Sequence, residues 1–460
     1  MGPGSFAHPA PIRGAAVLGF ALAVILVLVS TAPAAGAAGS RLWVSRFHAP
    51  HTDRAYDVAV SPNGSMVYVT GSSYRPGAYE DWVTLGLSQT TGAQIWTSRY
   101  DGPGNGSDEA YALAVSPDGT RVYVAGGSYA TSQNYTVIAY DATSGAELWV
   151  ARGVEGAAWN VVVSADGMRV YLSGSGFGTE AYDASSGARI WSRRYQPAGS
   201  LSDVNFANAL GLSPDGARVF VAGYIDSIAS WYDYASVAYD STTGAKIWAR
   251  RYDGPGDEYA SGEALAVSPD GARVYVTGTS GYVPGDWVTI AYDASTGAKI
   301  WLRRYDGPDH LNDWAGDVAV RPDGSMVYVT GLTEGTTTGA DIGTIAYDAA
   351  TGAKVWLRHY DGRAHMGDSA RRLVVSPDGS RVYVAGYSQG AGTYADYATL
   401  AYEASAGTTV WTRLYDGPGH NEDYVDGLAV SPDGTSVFVT GGSFGDGTQE
   451  DYATLAYSAS

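Results

Sequence analysis

The sequence contains no cysteine among its 460 residues. This absence excludes disulfide bonds, thiolate metal sites, a cysteine nucleophile and a lipid anchor attached through cysteine. Positive charge is also scarce, with 28 Lys and Arg against 47 Asp and Glu and a net charge of −19. An excess of negative charge argues against nucleic acids and anionic membrane surfaces as partners. It is typical of a protein that stays soluble outside the cell, and binding of cations or of a cationic partner is the alternative.

Long apolar runs are missing except near the N-terminus. Residues 15–29 form an apolar run that follows Arg13 and precedes Ala35-Gly36-Ala37, which fits a signal-peptidase cleavage site. The run is shorter than the roughly 20 residues that span a bilayer. We therefore expect a signal peptide at residues 1–37 and a mature chain, 38–460, that is secreted, periplasmic or at the cell surface and has no transmembrane domain. An uncleaved membrane anchor is the alternative.

Helical periodicity is absent as well, because Gly or Pro interrupts every candidate segment. What is present are 61 Gly, 35 Tyr and 13 Trp, and short β-branched runs separated by turn signals. A Ser-Pro-Asp-Gly turn recurs eight times with small changes, at spacings of 48 to 55 residues. These turns begin at Ser61, Ser116, Ser164, Ser213, Ser268, Arg321, Ser376 and Ser431.

Each repeat contains four predicted strands, which we name A, B, C and D. In one repeat they occupy residues 264–267, 273–278, 286–293 and 299–305, with the Ser-Pro-Asp-Gly turn between A and B. Eight such repeats predict an all-β, eight-bladed β-propeller with four-stranded antiparallel blades. An open solenoid is the structural alternative.

The two ends of the chain favour a closed ring. Residues 451–460 read as a C strand without a following D strand, and residues 39–47 read as a D strand with nothing before it. Pairing the N-terminal outer strand with the C-terminal strand would complete the eighth blade and remove exposed sheet edges.

The turn between strands C and D carries a further motif. Residues 291–301 follow the pattern A-x-D-x-x-T-G-x-x-x-W, which is also complete at residues 238–248 and 346–356, and Ser144 and Ser186 replace Thr in two more copies. This pattern resembles the tryptophan-docking motif of quinoprotein propellers, which bind PQQ, and the A–B strand pair resembles YVTN-type surface-layer repeats. The resemblance implies that each motif tryptophan packs between neighbouring blades. These tryptophans are Trp43, Trp96, Trp149, Trp191, Trp248, Trp301, Trp356 and Trp411.

The resemblance carries over to function only in part. Enzymes of the family hold PQQ over the channel, and many use a vicinal disulfide, calcium and a catalytic Asp, but this chain has no Cys and no embedded calcium motif. We therefore do not expect PQQ. Non-enzymatic relatives use the blades as a scaffold for protein partners. The sequence favours a non-catalytic, monomeric binding or scaffold module for protein or glycan; the alternatives are a quinoprotein-like or lyase-type enzyme at the channel mouth and a structural component of a cell-surface layer.

The working face is expected where the variable D–A and B–C loops lie, opposite the short A–B and C–D turns. Polar residues at the starts of the A strands are candidates to line the channel. They are Asp57, Asn160, Asn208, Glu263, Asp317, Arg371, Arg372 and Asp426. Such a funnel would hold either a small polar ligand or water.

A His and an Asp recur together in four D–A loops. These candidates for a divalent metal site are His51, Asp53, His310, Asp313, His365, Asp368, His420 and Asp423. Imidazole and carboxylate together suit zinc, nickel or copper, whereas a solvated loop shared by duplicated repeats is the alternative. Another Asp of a D–A loop, and Asp residues that precede the C strands, are expected to cap turns, with calcium binding as their alternative. They are Asp81, Asp108, Asp233, Asp286, Asp396 and Asp451.

Overall fold

The computed structural model of this protein describes residues 37–49, 51–75, 79–104, 106–198, 200, 205–226, 232–255, 259–281, 284–390 and 394–459. Strands, turns and loops make up these residues, and no helix capable of crossing a membrane is found among them. The predicted signal peptide, residues 1–37, lies outside the described residues except for Ala37.

Among the described residues, thirty-two strands form eight antiparallel sheets of four strands, which are the blades of a propeller. Blades 1 to 4 contain β2 (Asp53–Val60), β3 (Met66–Tyr74), β4 (Glu80–Ser88), β5 (Gln94–Tyr100); β6 (Glu109–Val115), β7 (Arg121–Tyr129), β8 (Gln133–Asp141), β9 (Glu147–Glu155); β10 (Ala158–Val163), β11 (Arg169–Gly174), β12 (Gly178–Asp183), β13 (Arg189–Arg194); β14 (Phe206–Leu212), β15 (Arg218–Asp226), β16 (Tyr232–Asp240) and β17 (Lys246–Tyr252). Blades 5 to 8 contain β18 (Ala260–Val267), β19 (Arg273–Ser280), β20 (Asp286–Asp293), β21 (Lys299–Tyr305); β22 (Asp313–Val320), β23 (Met326–Gly335), β24 (Gly339–Asp348), β25 (Lys354–Tyr360); β26 (Asp368–Val375), β27 (Arg381–Gln389), β28 (Ala395–Glu403), β29 (Thr409–Tyr415); β30 (Asp423–Val430), β31 (Ser436–Phe444), β32 (Glu450–Ser458) and β1 (Arg41–Phe47).

The A strands form the inner wall of the ring. Each A strand contacts the A strands of both neighbouring blades, and β30 contacts β2, so the ring is closed. Strands B and C are buried along almost their whole length, as in β19, where seven of eight residues are buried. Both faces of each blade are covered by its neighbours, which is why these strands read as continuous apolar runs rather than as an alternating pattern.

Closure of the ring occurs inside a C–D turn, as the sequence predicts. Strand β1 pairs with β32 in antiparallel register, with Val44 opposite Leu455. Across the chain ends, the Gly39 N–H donates to the Ser458 carbonyl and the Ser458 N–H donates to the Ser40 carbonyl, each at 2.8 Å. In a continuous turn the Gly145 N–H donates to the Asp141 carbonyl and the Asp141 N–H donates to the Ala146 carbonyl, also at 2.8 Å. The eighth blade therefore reproduces the standard turn without a covalent connection, and the predicted eight-bladed, closed propeller is confirmed.

The motif tryptophans join neighbouring blades. Trp301 is 6% exposed, its Nε1 donates to the Ala349 carbonyl of the next blade at 3.1 Å, and its ring lies 5.7 Å from Tyr275 and 6.1 Å from Tyr347. The next turn presents Gly352 to the ring at a φ of +69°, where a Cβ atom would come within 2.7 Å of the indole. Only glycine allows both this backbone conformation and this approach.

The same joint recurs around the ring. Seven of the eight motif tryptophans donate Nε1 to a main-chain carbonyl of the next blade. The eighth, Trp411, packs against Gly39 at the closure, and its Nε1 has no acceptor within the described part of the chain.

We predict that Trp301→Ala lowers the free energy of unfolding by about 3–5 kcal/mol, because it removes a buried aromatic ring and its hydrogen bond. Ile300→Ala, at the neighbouring position that is 43% exposed, is the matched control and should change it by less than about 0.5 kcal/mol. Denaturant unfolding followed by circular dichroism measures both. Equal losses for the two variants would contradict the docking role of Trp301.

Candidate functional site

Each A strand carries a β-bulge at the same position of its pairing with strand B. A bulge leaves one residue unpaired and turns its side chain out of the regular alternation. We call these eight unpaired residues the central ring. They are Tyr56, Tyr111, Trp159, Asn208, Glu263, Gly316, Arg371 and Asp426.

The central ring lines two adjoining cavities in the middle of the propeller. Seven of its members line a cavity of about 630 Å³, and Arg371 lines a second cavity of about 880 Å³. Five residues border both cavities, namely Trp159, Asn208, Glu263, Gly316 and Arg372. The second cavity reaches the ends of the B strands at Glu334 and Tyr387. Because the A strands begin and the B strands end on the side of the D–A and B–C loops, the second cavity reaches the loop-bearing face.

All eight residues predicted to line the channel border one of these cavities. Several of them also fasten neighbouring A strands together. Asp57 accepts hydrogen bonds from the Val58 and Leu113 N–H groups, each at 2.8 Å, and Leu113 belongs to the next blade. These bonds use both oxygens of the carboxylate, which is therefore occupied in holding the ring.

Three other predicted residues make comparable bonds to the following blade. Asp317 accepts from the Leu373 N–H at 2.7 Å, Asn160 donates to the Ala207 carbonyl at 3.2 Å, and Asn208 donates to the Gly262 carbonyl at 3.0 Å. Half-buried carboxylates and amides of this kind satisfy main-chain groups of the neighbouring A strand. Polar residues at these positions thus support the wall of the cavity.

Aromatic side chains form one side of the central ring, and the sequence analysis missed them. The rings of Tyr56 and Tyr111 lie 5.5 Å apart, and Trp159 stacks on Phe206 at 4.8 Å with an interplanar angle of 12°. Trp314 is 55% exposed and lines the larger cavity. Comparing the eight A strands position by position would have found Tyr56, Tyr111 and Trp159, since seven residue types occupy this one position of an otherwise regular repeat.

Positive charge is concentrated on the opposite side of the ring. The guanidinium of Arg371 lies 3.6 Å from Asp426, which also accepts a 2.9 Å hydrogen bond from Arg54. The neighbouring Arg372 is exposed to the cavity. Arg371 and Arg372 thus bring positive charge to a wall that also carries the carboxylates of Asp57, Glu263, Asp317 and Asp426.

The four predicted His and Asp pairs are arranged differently from the expectation. Nδ1 of His310 bonds to Asp306 at 2.6 Å instead of to Asp313, and His420 likewise bonds to Asp416 at 2.6 Å instead of to Asp423. His365 bonds to Asp361 at 2.5 Å, while His51 lies edge-on against Tyr74 at 5.2 Å. His310, His365 and His420 have positive φ angles of 54°, 51° and 48°, a left-handed conformation. The spacing of three residues therefore does not place imidazole and carboxylate side by side.

The aspartates of these pairs belong to other groups. Asp313, Asp368 and Asp423 each lie in a set of three aspartates, and Asp53 lies in a set with His48 and Asp451; within each set the ligand atoms are within 4.8 Å of one another. Asp423 accepts the Gly417 N–H at 2.6 Å and the Phe444 N–H at 3.1 Å, in keeping with a turn-capping role. Burial, and then the charges of Asp416 and Asp423, raise the pKa of Asp396 to about 7.

We predict opposite pH effects at two carboxylates. Desolvation in the cavity wall raises the pKa of Asp57 to about 6, so the folded protein binds this proton more tightly than the unfolded chain. Its contribution to stability is fully present below about pH 4 and is lost as the pH rises through about 6. The melting temperature of Asp57→Asn relative to wild type should therefore increase between about pH 4 and pH 6.

Asp118→Asn, in the A–B turn of blade 2, is the matched control. Hydrogen bonds from Ser116 and Thr120 lower the pKa of Asp118, so its contribution is lost as the pH falls below about 4. Thermal melts from below about pH 4 to above about pH 6 compare the melting temperatures of the two variants with that of wild type. If the melting-temperature difference between variant and wild type changed with pH in the same direction for both variants, burial would not control the protonation of Asp57.

Several solved structures share this propeller fold at low sequence identity. The structure resembles that of Sqt1 from Chaetomium thermophilum bound to the N-terminus of ribosomal protein L10, with a TM-score of 0.63, 15% identity and coverage of 92% of this chain and 100% of that one. It resembles the Dos1 propeller with a TM-score of 0.60, 12% identity and coverage of 91% and 95%. BamB from Moraxella catarrhalis gives a TM-score of 0.50, 16% identity and coverage of 92% and 98%. At such identities these likenesses concern the fold alone.

No curated protein matches the sequence. The sequence model of the family described as outer membrane protein assembly factor BamB matches residues 30–237, 133–364 and 211–444. These overlapping matches extend over most of the repeats, and they confirm the resemblance to quinoprotein-like repeats that the tryptophan-docking motif indicates. The chain therefore belongs to the quinoprotein-like β-propeller family of the outer membrane protein assembly factor BamB.

Proposed function

We propose that this protein is an exported, non-catalytic binding module that holds a segment of a partner protein in the cavity bordered by its central ring. The observation that carries this proposal is the contrast between the ring and the rest of the repeat. The same β-bulge occurs in all eight A strands, yet its unpaired residue is Tyr, Tyr, Trp, Asn, Glu, Gly, Arg or Asp. Tyr occurs twice, and the other six residues are of six different types. A scaffold that repeats its geometry while varying one inward position resembles a binding surface carried by a rigid frame.

The chemistry of the ring suits a peptide segment. Tyr56, Tyr111 and Trp159 follow one another around the ring and offer apolar faces with polar edges. On the other side, Arg371 and Arg372 offer guanidinium groups that bind carboxylates in two-pronged geometry. Aromatic and arginine side chains supply most of the binding energy at protein interfaces. We favour protein over glycan because the paired arginines match the carboxylates of a peptide.

Catalysis is less well supported by the same geometry. A catalytic site in the cavity wall would need a free carboxylate. Asp57 and Asp317 lie in this wall, but each accepts hydrogen bonds from two main-chain N–H groups. Glu263 accepts hydrogen bonds from Ser261 and Asn208. The acidic groups of the wall are thus engaged by the protein itself, whereas a general acid or base must be free to reach a substrate.

Export is supported by the N-terminal sequence and by the contacts of the residues that follow the expected cleavage site. The apolar run at 15–29 and the Ala-Gly-Ala site at 35–37 have the form of a secretory signal. Cleavage after Ala37 would leave Ala38 and Gly39, whose carbonyls accept hydrogen bonds from Arg413 at 3.0 and 2.7 Å. The mature chain would keep every residue of β1 and the residues that close the ring.

We predict that peptides selected from a displayed library against the full chain bind in the cavity. Trp159→Ala and Arg371→Ala should each weaken their binding about tenfold or more, because each removes an anchor from a desolvated site. Met168→Ala, at a position that is 66% exposed in an A–B turn on the opposite face, is the control and should leave binding unchanged. Fluorescence anisotropy measures the affinities. Absence of selected peptides, or equal binding by all three variants, would contradict the proposal.

We predict that secretion from a bacterial host yields a protein that starts at Ala38. Intact mass and N-terminal sequencing of the exported fraction identify the cleavage site. Ala37→Trp should block processing, because signal peptidase requires a small residue before the cut, whereas Ser40→Ala should not. An intact N-terminus on exported protein would favour a membrane anchor, and retention in the cytoplasm would refute export.

A further inference from the structure

An aspartate at the start of strand C pairs with an arginine of strand D in four blades. Arg46 contacts Asp451 at 3.0 Å, Arg99 contacts Asp81 at 3.1 Å, and Arg304 contacts Asp286 at 2.6 Å. Arg251 and Asp233 form the fourth pair. The strand register places the four arginines at equivalent positions, each opposite the second residue after the aspartate. In three of these blades the guanidinium thus neutralises an aspartate that lies close to other carboxylates, namely Asp81, Asp286 and Asp451.

Blades 6 and 7 keep the aspartate but lack the arginine. The register places His359 at the arginine position of blade 6 and Leu414 at that of blade 7. His359 bonds to Thr333 at 3.0 Å and to Tyr305 at 3.1 Å, so neither of its nitrogens bonds to Asp341. Leu414 has no charge to offer Asp396. Asp341 and Asp396 are both buried, with only 8% of each residue exposed.

Three carboxylates converge at each of these two places. We call them the blade-7 triad, Asp396, Asp416 and Asp423, and the blade-6 triad, Asp341, Asp361 and Asp368; in each triad one oxygen of every member lies within 4.8 Å of the others.

Several of these oxygens have no partner. In the blade-7 triad, Oδ1 of Asp396 and Oδ1 of Asp416 lack a hydrogen-bond partner within the described part of the chain. In the blade-6 triad, the same holds for Oδ1 of all three members. Buried carboxylate oxygens without a donor or cation are strongly unfavourable. The four pairs with arginine show what the fold otherwise supplies at this position, which is a positive charge.

We propose that the blade-6 and blade-7 triads each bind one calcium ion, in the place where four other blades hold an arginine guanidinium. The free groups at both triads are carboxylate oxygens, the ligands that hard divalent cations prefer. They come from a C strand, the end of a D strand and the start of the next A strand, so the geometry is irregular. Calcium accepts such irregular oxygen sets and completes its shell with water, whereas magnesium demands near-octahedral geometry.

The histidines of the D–A loops act as positioning residues in this arrangement. Nδ1 of His420 bonds to Oδ2 of Asp416, and Nδ1 of His365 bonds to Oδ2 of Asp361, which leaves the Oδ1 atoms of these aspartates without a hydrogen-bond partner among the described residues. Hydrogen bonds of this kind fix the orientation of metal-bound carboxylates. The calcium sites would join blade 6 to blade 7 and blade 7 to blade 8, because Asp368 and Asp423 begin the A strands of the following blades. This proposal is independent of what the central cavity binds.

The test is calcium binding by the purified full chain after removal of metal with a chelator. Isothermal titration with calcium chloride should give two ions per chain, and calcium should raise the melting temperature. Asp396→Asn should bind one ion, because it removes a ligand with little change of shape. Leu414→Arg should also bind one ion and should restore the arginine pair. Asp286→Asn, in the set of three aspartates in which Arg304 pairs with Asp286, is the matched control and should still bind two ions.

The converse variant sharpens the test. Arg304→Leu removes the guanidinium beside Asp286, Asp306 and Asp313 and should create a third calcium site. Circular dichroism verifies the fold of each variant, and Asp396→Asn decides the matter for blade 7 if Leu414→Arg does not fold. The proposal would be overturned if wild type bound no calcium at millimolar concentration. It would also be overturned if Asp396→Asn bound as many ions as wild type, or if magnesium bound both sites as tightly as calcium.

Discussion

The structure depends on the packing of a tryptophan against a glycine of the next blade. Trp301 lies flat against Gly352, which adopts a left-handed conformation that also brings its backbone within reach of the indole. A four-stranded blade cannot bury both of its faces by itself, so each blade requires a neighbour, and the tryptophan fixes the distance between them. Repeating this contact eight times bends a linear series of blades into a ring. The contact between Trp411 and Gly39 lets the ring close without a covalent bond or a disulfide.

A frame fixed in this way leaves other positions free to vary. The Ser-Pro-Asp-Gly turns and the tryptophans change little between repeats, whereas the bulge residue of strand A changes from Tyr56 to Trp159 to Arg371. The bulge matters because it directs one side chain per blade toward the centre without disturbing the buried strands behind it. On the loop-bearing face a second position varies, where Arg304 of one blade gives way to Leu414 of another. Both variations alter charge and chemistry while the backbone stays the same.

Most of the fold could be predicted from the sequence because its determinants are local. Turn residues, β-branched runs and the spacing of tryptophans identify the strands and count the blades, and the unmatched strands at 39–47 and 451–460 predict closure. The polar residues of the cavity, such as Asp57 and Asp317, could be predicted because they interrupt apolar A strands. Their bonds to the next blade could not, since these depend on how closely two A strands approach.

The aromatic part of the central ring was not predicted, for a different reason. A bulge shifts the alternation of inward and outward side chains by one residue, so Tyr56 and Trp159 read as outward-facing in a regular strand. The arrangement of His420 was also beyond the sequence, because its left-handed backbone turns the ring back to Asp416. Arg304 and Leu414 occupy equivalent positions in the pairing of strands C and D. This equivalence could be predicted from the sequence, because the C–D turn sets the register of the two strands.

We propose that a partner peptide binds at the central ring, and that the tryptophan–glycine contacts between blades hold the ring in place. Hydrogen–deuterium exchange of the full chain, with and without a bound peptide, tests it most directly. Binding should slow exchange in the first residues of the A strands, around Tyr56, Tyr111 and Arg371, while the A–B turns exchange as before. Protection confined to the A–B and C–D turns, with no change in the A strands, would contradict it.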